Sequence, residues 1–545
     1  MKAFYQLLIF SLLLNGCTLR ERGTEDNNGE IITGVKPLIY LVDYLREDGK
    51  LIVSWKYNAR YEVFKSVHLK RADGSPVATI DYPVDYYLLE EAYPESEILL
   101  QVENNNGEFS KGYRLNLDRD REYTKLLETG PVDRVVIEKE APRPYFHKKG
   151  DPEQLRLFGT NYVRLRGKEG VRTEQHDHST FEAATVSTEA DYNPYHAETL
   201  FRIMKARGLN FVRVFIIGRY DFTPGISGPS ELNEPLYGPY MDNVIDFLER
   251  ARRYGIYVYP CFGDGDLPQN EWYRSRLPSE LQSKLFEVSH YFPFIEEAVD
   301  LKAKYITAFL NYIREYDETL IHTLLAVELQ NEYNLRSDLW PFTLQTGIFE
   351  AYWGDSYDMT DAASRQKLAD DATIHYQNRM VEAVDKTDPE ILVAEGFFSL
   401  DIVGKNAENS VGLFPDAFED KRYPPRFNVS VRSNIDFIDI HEYPVIKGLP
   451  MKELFRRDMN SMMDSGTEME DILSKKPVIL GEFGGFVEFE TGDMKAIAAR
   501  MAELAGFAME KGFSGWCYWT FDTFEQKRLY SMMEQNQEIM DALSP

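Results

Sequence analysis

The sequence predicts an α/β chain in which a (β/α)8 barrel follows a small all-β sandwich, and three observations carry that expectation. From about residue 157, eight short apolar strands alternate with amphipathic helices. Those strands read apolar nearly throughout, as strands covered on both faces do. Residues 36–129 instead hold short runs rich in Val, Ile, Leu and aromatics, separated by turns and without a helical period. At about 150 residues per domain the length suggests three or four domains. A barrel with long loops absorbs most of the 545 residues and reduces the count to two.

The chain opens MKAFYQLLIFSLLLNGC, with Lys2 ahead of an apolar run from Ala3 to Leu14. A bilayer span needs roughly 20 apolar residues, so this run suits the core of an export signal instead. Leu14-Asn15-Gly16-Cys17 resembles a bacterial lipoprotein cleavage box. That resemblance implies a signal peptide over 1–17 with Cys17 lipidated, and export to an outer-membrane anchorage on its periplasmic or surface face. Residues 18–35 are largely polar and form a flexible tether. Membrane contact is expected only through the anchor. Of three cysteines, Cys261 and Cys517 then remain, in strand-like contexts that favour buried thiols, with a disulfide between them as the alternative.

In the sandwich, Ala72-Asp73-Gly74-Ser75 and Asn105-Asn106-Gly107 supply hairpin turns. The segment 36–129 resembles immunoglobulin or fibronectin type III modules, with structural support favoured over sugar binding. Residues 130–156 carry four prolines and mixed charge and are expected to be a linker and barrel lead-in. Residues 157–545 form the barrel. Its strands are LFGTNYVRL, NFVRVFII, GIYVYPCF, LLAVELQNE, ILVAEGF, FIDIHEY, PVILGEF and GFSGWCYWTF. Asn193-Pro194 marks an N-cap with proline at the first helical position. Met494, Ile497, Ala498, Met501, Leu504 and Ala508 make a helical stripe before the last strand. An open sheet would want a glycine-rich phosphate loop after its first strand, and none follows here. The excess length falls at 263–292, 333–361 and 397–433, loops on the face where barrels place chemistry.

The strand ends carry Arg213, Asn331 and Glu332, Glu395, His441 and Tyr443, Glu482, and Trp519. Two carboxylates on different strands facing one cleft suit glycosidic bond cleavage, one as acid and one as nucleophile. A separation near 5 Å would give retention, and about 6.5 to 9.5 Å inversion. Glu395 either lines the pocket or serves in the wall, with the structural role favoured. Glu328 shares strand parity with Glu332 but lies deeper, which favours a buried ion pair or hydrogen-bonded acid. His176-Asp177-His178 has a metal-like look but no third ligand nearby, so no metal or cofactor is expected.

The ordered set ELQNEYN, VILGEFGG, NFVRVF, DIHEYP and YWTF resembles the clan of retaining glycoside hydrolases that includes the family 5 cellulases and mannanases. The resemblance covers about 157 to 530. It implies Glu332 as acid/base, Glu482 as nucleophile and Arg213 as the arginine that steadies the nucleophile. It further implies Asn331 at the sugar 2-hydroxyl, His441 and Tyr443 as orienting groups, and Trp519 as a sugar platform. At strand three, where that family often has a rim histidine, this chain has Phe262-Gly263-Asp264-Gly265-Asp266.

The implied substrate is a neutral β-linked polysaccharide, β-mannan or β-glucan first, cut internally with water as acceptor. Aromatics are 13% of the chain, and Trp272, Trp340, Trp353 and Phe397 are candidate subsite rings in the long loops. A net charge of −28 repels phosphate backbones, which sets nucleic acid aside. A monomer is expected. The alternatives are a surface glycan-binding lipoprotein with little hydrolytic activity, and an exo-acting or transglycosylating enzyme of the same clan.

Overall fold

The computed structural model describes residues 39–545 except 48, 58–63, 91–92, 95, 111, 118–131, 168–175, 185–190, 220–222, 264–266, 289, 400–420, 424, 445–448, 464–465, 491, 527 and 535–536. The expected signal peptide, Cys17 and the tether lie outside the described residues. The chain divides into two compact units, Met1–Asp118 and Arg119–Pro545.

The first unit holds two antiparallel sheets over one core. Ile39–Glu47, Lys50–Tyr57 and Tyr86–Glu90 make one; Phe64–Lys70, Pro76–Asp81, Glu97–Asn104 and Tyr113–Asn116 make the other. Trp55, Val67, Leu69, Leu100 and Val102 are fully buried between them. Both expected turns are present. Gly74 has φ +86° beside an Asp73 carboxylate that accepts from Ser75 N at 2.8 Å. Gly107 has φ +80°, a left-handed conformation glycine adopts without steric cost.

In the second unit eight parallel strands close into a barrel, neighbours following chain order: Leu157–Asn161, Phe211–Phe215, Tyr257–Cys261, Val327–Glu328, Val393–Phe398, Phe437–His441, Val478–Phe483 and Gly515–Tyr518. Seven fall within the expected runs, and the fifth extends one residue beyond its run, to Phe398. The fourth, of two residues, is much shorter than its run, and four residues beyond it Glu332 takes a left-handed φ of +45°. Helix Pro194–Ala206 begins as its sequence signals, Asn193 Oδ1 accepting from Tyr195 N and His196 N. Gly255 closes helix Gly238–Tyr254 at φ +64°. Cys261 and Cys517 are buried thiols that form no disulfide with each other. Among the described residues, no helix is long and apolar enough to cross a membrane.

Part of the presumed linker has a structural task. Strands Val135–Glu138 and Tyr145–Lys148 pair as a hairpin. Val132, Val135 and Phe146 pack against Leu157, Phe211, Tyr257, Leu325, Phe437 and Ile479, the lower ends of the barrel strands. Tyr257 donates to Asp133 O at 2.7 Å, and Arg134 holds Asp388 through two bonds, at 2.6 and 3.1 Å. The hairpin thus seals the face opposite the strand ends that carry the polar residues.

Phe146 is fully buried and edge-on to Phe437 at 5.1 Å. Phe146→Ala is expected to destabilise the barrel by about 3–5 kcal/mol, read as a lower urea midpoint by tryptophan fluorescence. An unchanged midpoint would contradict the sealing role.

Candidate active site

The upper barrel interior is organised around Arg213. Strand two turns Phe211, Arg213 and Phe215 inward, as a two-residue period requires. The guanidinium is fully buried. Its Nε and Nη2 bond Glu328 at 2.5 and 2.7 Å. Nη1 bonds Asn161 Oδ1 at 2.9 Å and Glu482 Oε1 at 2.5 Å, and Nη2 also bonds Asn331 Oδ1 at 2.9 Å. These bonds use all five donors that a guanidinium has. Glu328 is therefore the buried ion-pair partner its depth in the strand suggested.

Glu482 reaches this centre through a backbone irregularity. Ile479 and Gly481 face the interior, so regular alternation would turn Glu482 outward. In pairing with strand six the register slips: Ile440 lies opposite Leu480, but His441 lies opposite Glu482. A matching slip occurs against strand eight, between Leu480 and Phe483. One extra residue therefore bulges strand seven and re-aims Glu482 inward. Gly481 has to be glycine, since a Cβ there would overlap the Asp439 carboxylate.

Tyr443 donates to Glu482 Oε2 at 2.8 Å. Burial, with the charges of Glu482 and Glu332, pushes the phenol well above its ordinary pKa, so it remains a donor. Burial likewise raises the Glu482 carboxyl above the ordinary value of 4.5, with Glu332 adding to the rise; His441, Arg213 and the Tyr443 bond oppose it. His441 Nδ1 lies 3.3 Å from Glu332 Oε1 and 3.5 Å from Glu482 Oε2. The side chain of Glu482 is 5% exposed and that of Glu332 27%. One carboxylate is thus fixed and dry, and the other meets solvent.

Glu332, His441 and Glu482 each present an atom within 4.8 Å of the others, a spacing that cation ligands can also have. The partners of these atoms fit a metal poorly. Both oxygens of Glu482 are engaged, one by a guanidinium whose permanent charge opposes a second cation there. In the deeper set of Glu328, Asp439 and His441, both Glu328 oxygens already serve Arg213.

Of the expected site residues, Arg213, Asn331, Glu332, His441, Tyr443 and Glu482 come together. Trp519 joins them through an apolar cluster with Phe215 and Tyr443; its indole N–H is taken by Gln526 at 2.7 Å. Three tryptophans each touch neighbours in or near their own loops, and Trp340 stays 38% exposed. Trp272 lies under Arg276, 3.8 Å from its ring centroid, and Trp340 sits edge-on to Phe349 at 5.3 Å. Trp353 stacks on His375 of the outer helix Ala362–Thr387 at 4.8 Å. Phe397 is a correction: it is fully buried in strand five and offers no surface to a sugar. Glu395 is also fully buried, but strand alternation turns it from the interior toward Gln377, whose Nε2 donates at 3.2 Å. Burial holds its carboxyl well above the ordinary range.

Two members went unread in the sequence. Asn161 ends strand one, accepts from Arg213, and donates to the carbonyls of Gly481 and Tyr518 at 3.2 and 3.3 Å. Asp439 lies 3.8 Å from His441 Nε2 and 4.0 Å from Arg213 Nε. Burial, then Glu328, raises its carboxyl well above the usual value. Asp439 shares strand parity with His441, which was the available signal.

No family model and no curated protein matches the chain. Among solved structures it is similar to an endo-1,4-β-mannanase from Rhizomucor miehei, at 14% identity over 75% of this chain and 98% of that one, TM-score 0.48. An endo-β-1,4-mannanase from Thermotoga petrophila is 13% identical over 72% and 76%, TM-score 0.46. A calcium-binding mutant of Bacteroides uniformis β-glucuronidase 2 is 10% identical over 94% and 48%, TM-score 0.40. At these values no chemistry transfers from them to this chain.

Proposed function

We propose that the chain is a retaining glycoside hydrolase acting on β-glycosidic bonds of a neutral polysaccharide, cut internally, with β-mannan and β-glucan the first candidates. The observation that carries this is the close pair of unlike carboxylates. One oxygen of Glu332 and one of Glu482 lie within 4.8 Å of each other, a close approach that favours double displacement, with carboxyl groups roughly 5–5.5 Å apart, over inversion, with groups about 6.5–9.5 Å apart.

Glu482 Oε2 or Oε1 attacks the anomeric carbon while Glu332 gives its proton to the departing glycosidic oxygen. A glycosyl ester on Glu482 results. Glu332, now a carboxylate, takes a proton from water as that water attacks the same carbon. The ester bond breaks and Glu482 leaves as a carboxylate. The division of labour follows the surroundings: Arg213 and Tyr443 orient the buried nucleophile, and the more exposed Glu332 can exchange protons with water. Asn331 turns its carbonyl to Arg213 and so directs its amide N–H groups elsewhere, where a sugar hydroxyl can accept. The proposal extends to export and lipid anchorage through Cys17, and to a supporting immunoglobulin- or fibronectin-like role for the first unit.

Glu482→Gln leaves an oxygen for Arg213 but removes the nucleophile; it is expected to abolish release of reducing ends from mannan, mixed-linkage glucan and xyloglucan. Turnover at the wild-type rate, or a wild type that cleaves none of these, would overturn the proposal. Glu332→Gln should slow polysaccharide cleavage about 10²–10⁴-fold, the usual worth of a general acid. It should slow aryl glycosides with good leaving groups far less, and equal losses on both would argue against the acid role.

The pH profile follows from the Glu482 shift. Its folded pKa is raised, and the reaction needs the ionised form, so the acid limb of kcat/KM is expected above pH 4.5. Tyr443→Phe removes a bond to the charged form and should move that limb higher still. A limb that stays put or moves down contradicts the Tyr443 assignment.

A further inference from the structure

Loop residues after strand one carry an imidazole into the wall beside Glu482. Strands Leu165–Gly167 and His176–His178 pair antiparallel, placing His178 opposite Leu165. The His178 ring stacks on Phe215, with centroids 4.2 Å apart and planes at 28°. It meets Trp519 edge-on at 6.1 Å and 67°. Phe215 and Trp519 are themselves edge-on at 5.7 Å, and the Arg213 guanidinium carbon lies 4.8 Å from the Phe215 centroid. Leu165, Phe215, Tyr443 and Trp519 belong to one apolar cluster, and Tyr443 is the residue that holds Glu482.

Three rings from three parts of the chain therefore meet next to the nucleophile. Phe215 is buried, whereas His178 is only half-buried. Phenylalanine offers a sugar only carbon, and the Trp519 N–H is already committed to Gln526. An imidazole edge adds a hydrogen-bonding nitrogen to this wall, and since Nδ1 is buried the atom in question is Nε2. Sites that hydrogen-bond a substrate hydroxyl discriminate far more sharply than apolar surfaces do.

We propose that His178 contacts the sugar positioned for attack by Glu482, forming one hydrogen bond to a ring hydroxyl and helping to set which sugar is accepted. This assignment rests on the glycoside hydrolase proposal.

The test compares wild type, His178→Asn and His178→Phe on the panel glycan that wild type cleaves best, with thermal unfolding of each. Phe preserves a flat ring on Phe215 without the nitrogens; Asn preserves hydrogen bonding without the ring. The expected order of kcat/KM is wild type, then Asn, then Phe, with Phe down about 10- to 100-fold, as loss of a hydrogen bond from a buried partner predicts. The preference between mannan and glucan should narrow in the Phe variant. Phe equal to or above Asn, or Phe at the wild-type value, would mean that His178 only packs, and would overturn this assignment alone. A wild type inactive on every glycan overturns the hydrolase proposal and this one with it.

Discussion

Inside the barrel, one guanidinium with five donors is met by five bonds. Arg213 cannot shed its proton, so its charge has to be matched where it sits. Glu328 takes two bonds, and Asn161, Asn331 and Glu482 take one each. Removing one member of such a buried set leaves an uncompensated charge or donor, at a cost of about 3–5 kcal/mol for an ion-pair partner. Side chains from strand one, strand four and its trailing loop, and strand seven are consequently fixed around one plane. The demand of a buried charge and the orientation of Glu482 are satisfied by the same bonds.

Around that plane, regular structure gives the scaffold and irregular structure places the two glutamates. Strand alternation sends Arg213, Asp439 and His441 inward. The bulge at Gly481–Glu482 brings the nucleophile candidate in against its own parity. Glu332 stands just beyond a strand of two residues, at φ +45°, a conformation uncommon outside glycine. Such backbone outliers gather at sites whose surroundings hold them in place, and Glu332 is flanked by the Asn331–Arg213 bond and by His441.

The barrel was legible because eight apolar runs and their capped helices announce themselves locally. Arg213, Asn331, Glu332, His441, Tyr443 and Glu482 were legible because strand ends project to one face. Other features depend on the third dimension. Phe397 follows Glu395 in an apolar run, and the sequence does not say that the run continues as covered strand to Phe398. Trp353 lies in a long loop, yet its ring lies against an outer helix. The hairpin at Val135–Lys148 looked like a proline-rich connection, since sealing a barrel needs only a few apolar side chains such as Val135 and Phe146. Asn161 and Asp439 carry no motif; their importance comes from proximity to Arg213 and His441. The strand-seven bulge has no composition signal beyond the glycine itself.

If Glu482 forms and then loses a bond to the anomeric carbon, with Glu332 close by, the first product keeps the configuration of the substrate. The stereochemistry of that product tests this bond exchange most directly. Proton NMR of early hydrolysis of a β-linked substrate should show the β anomer of the new reducing end first, with the α anomer growing later by mutarotation. First appearance of the α anomer would mean a single displacement by water, and would contradict the account.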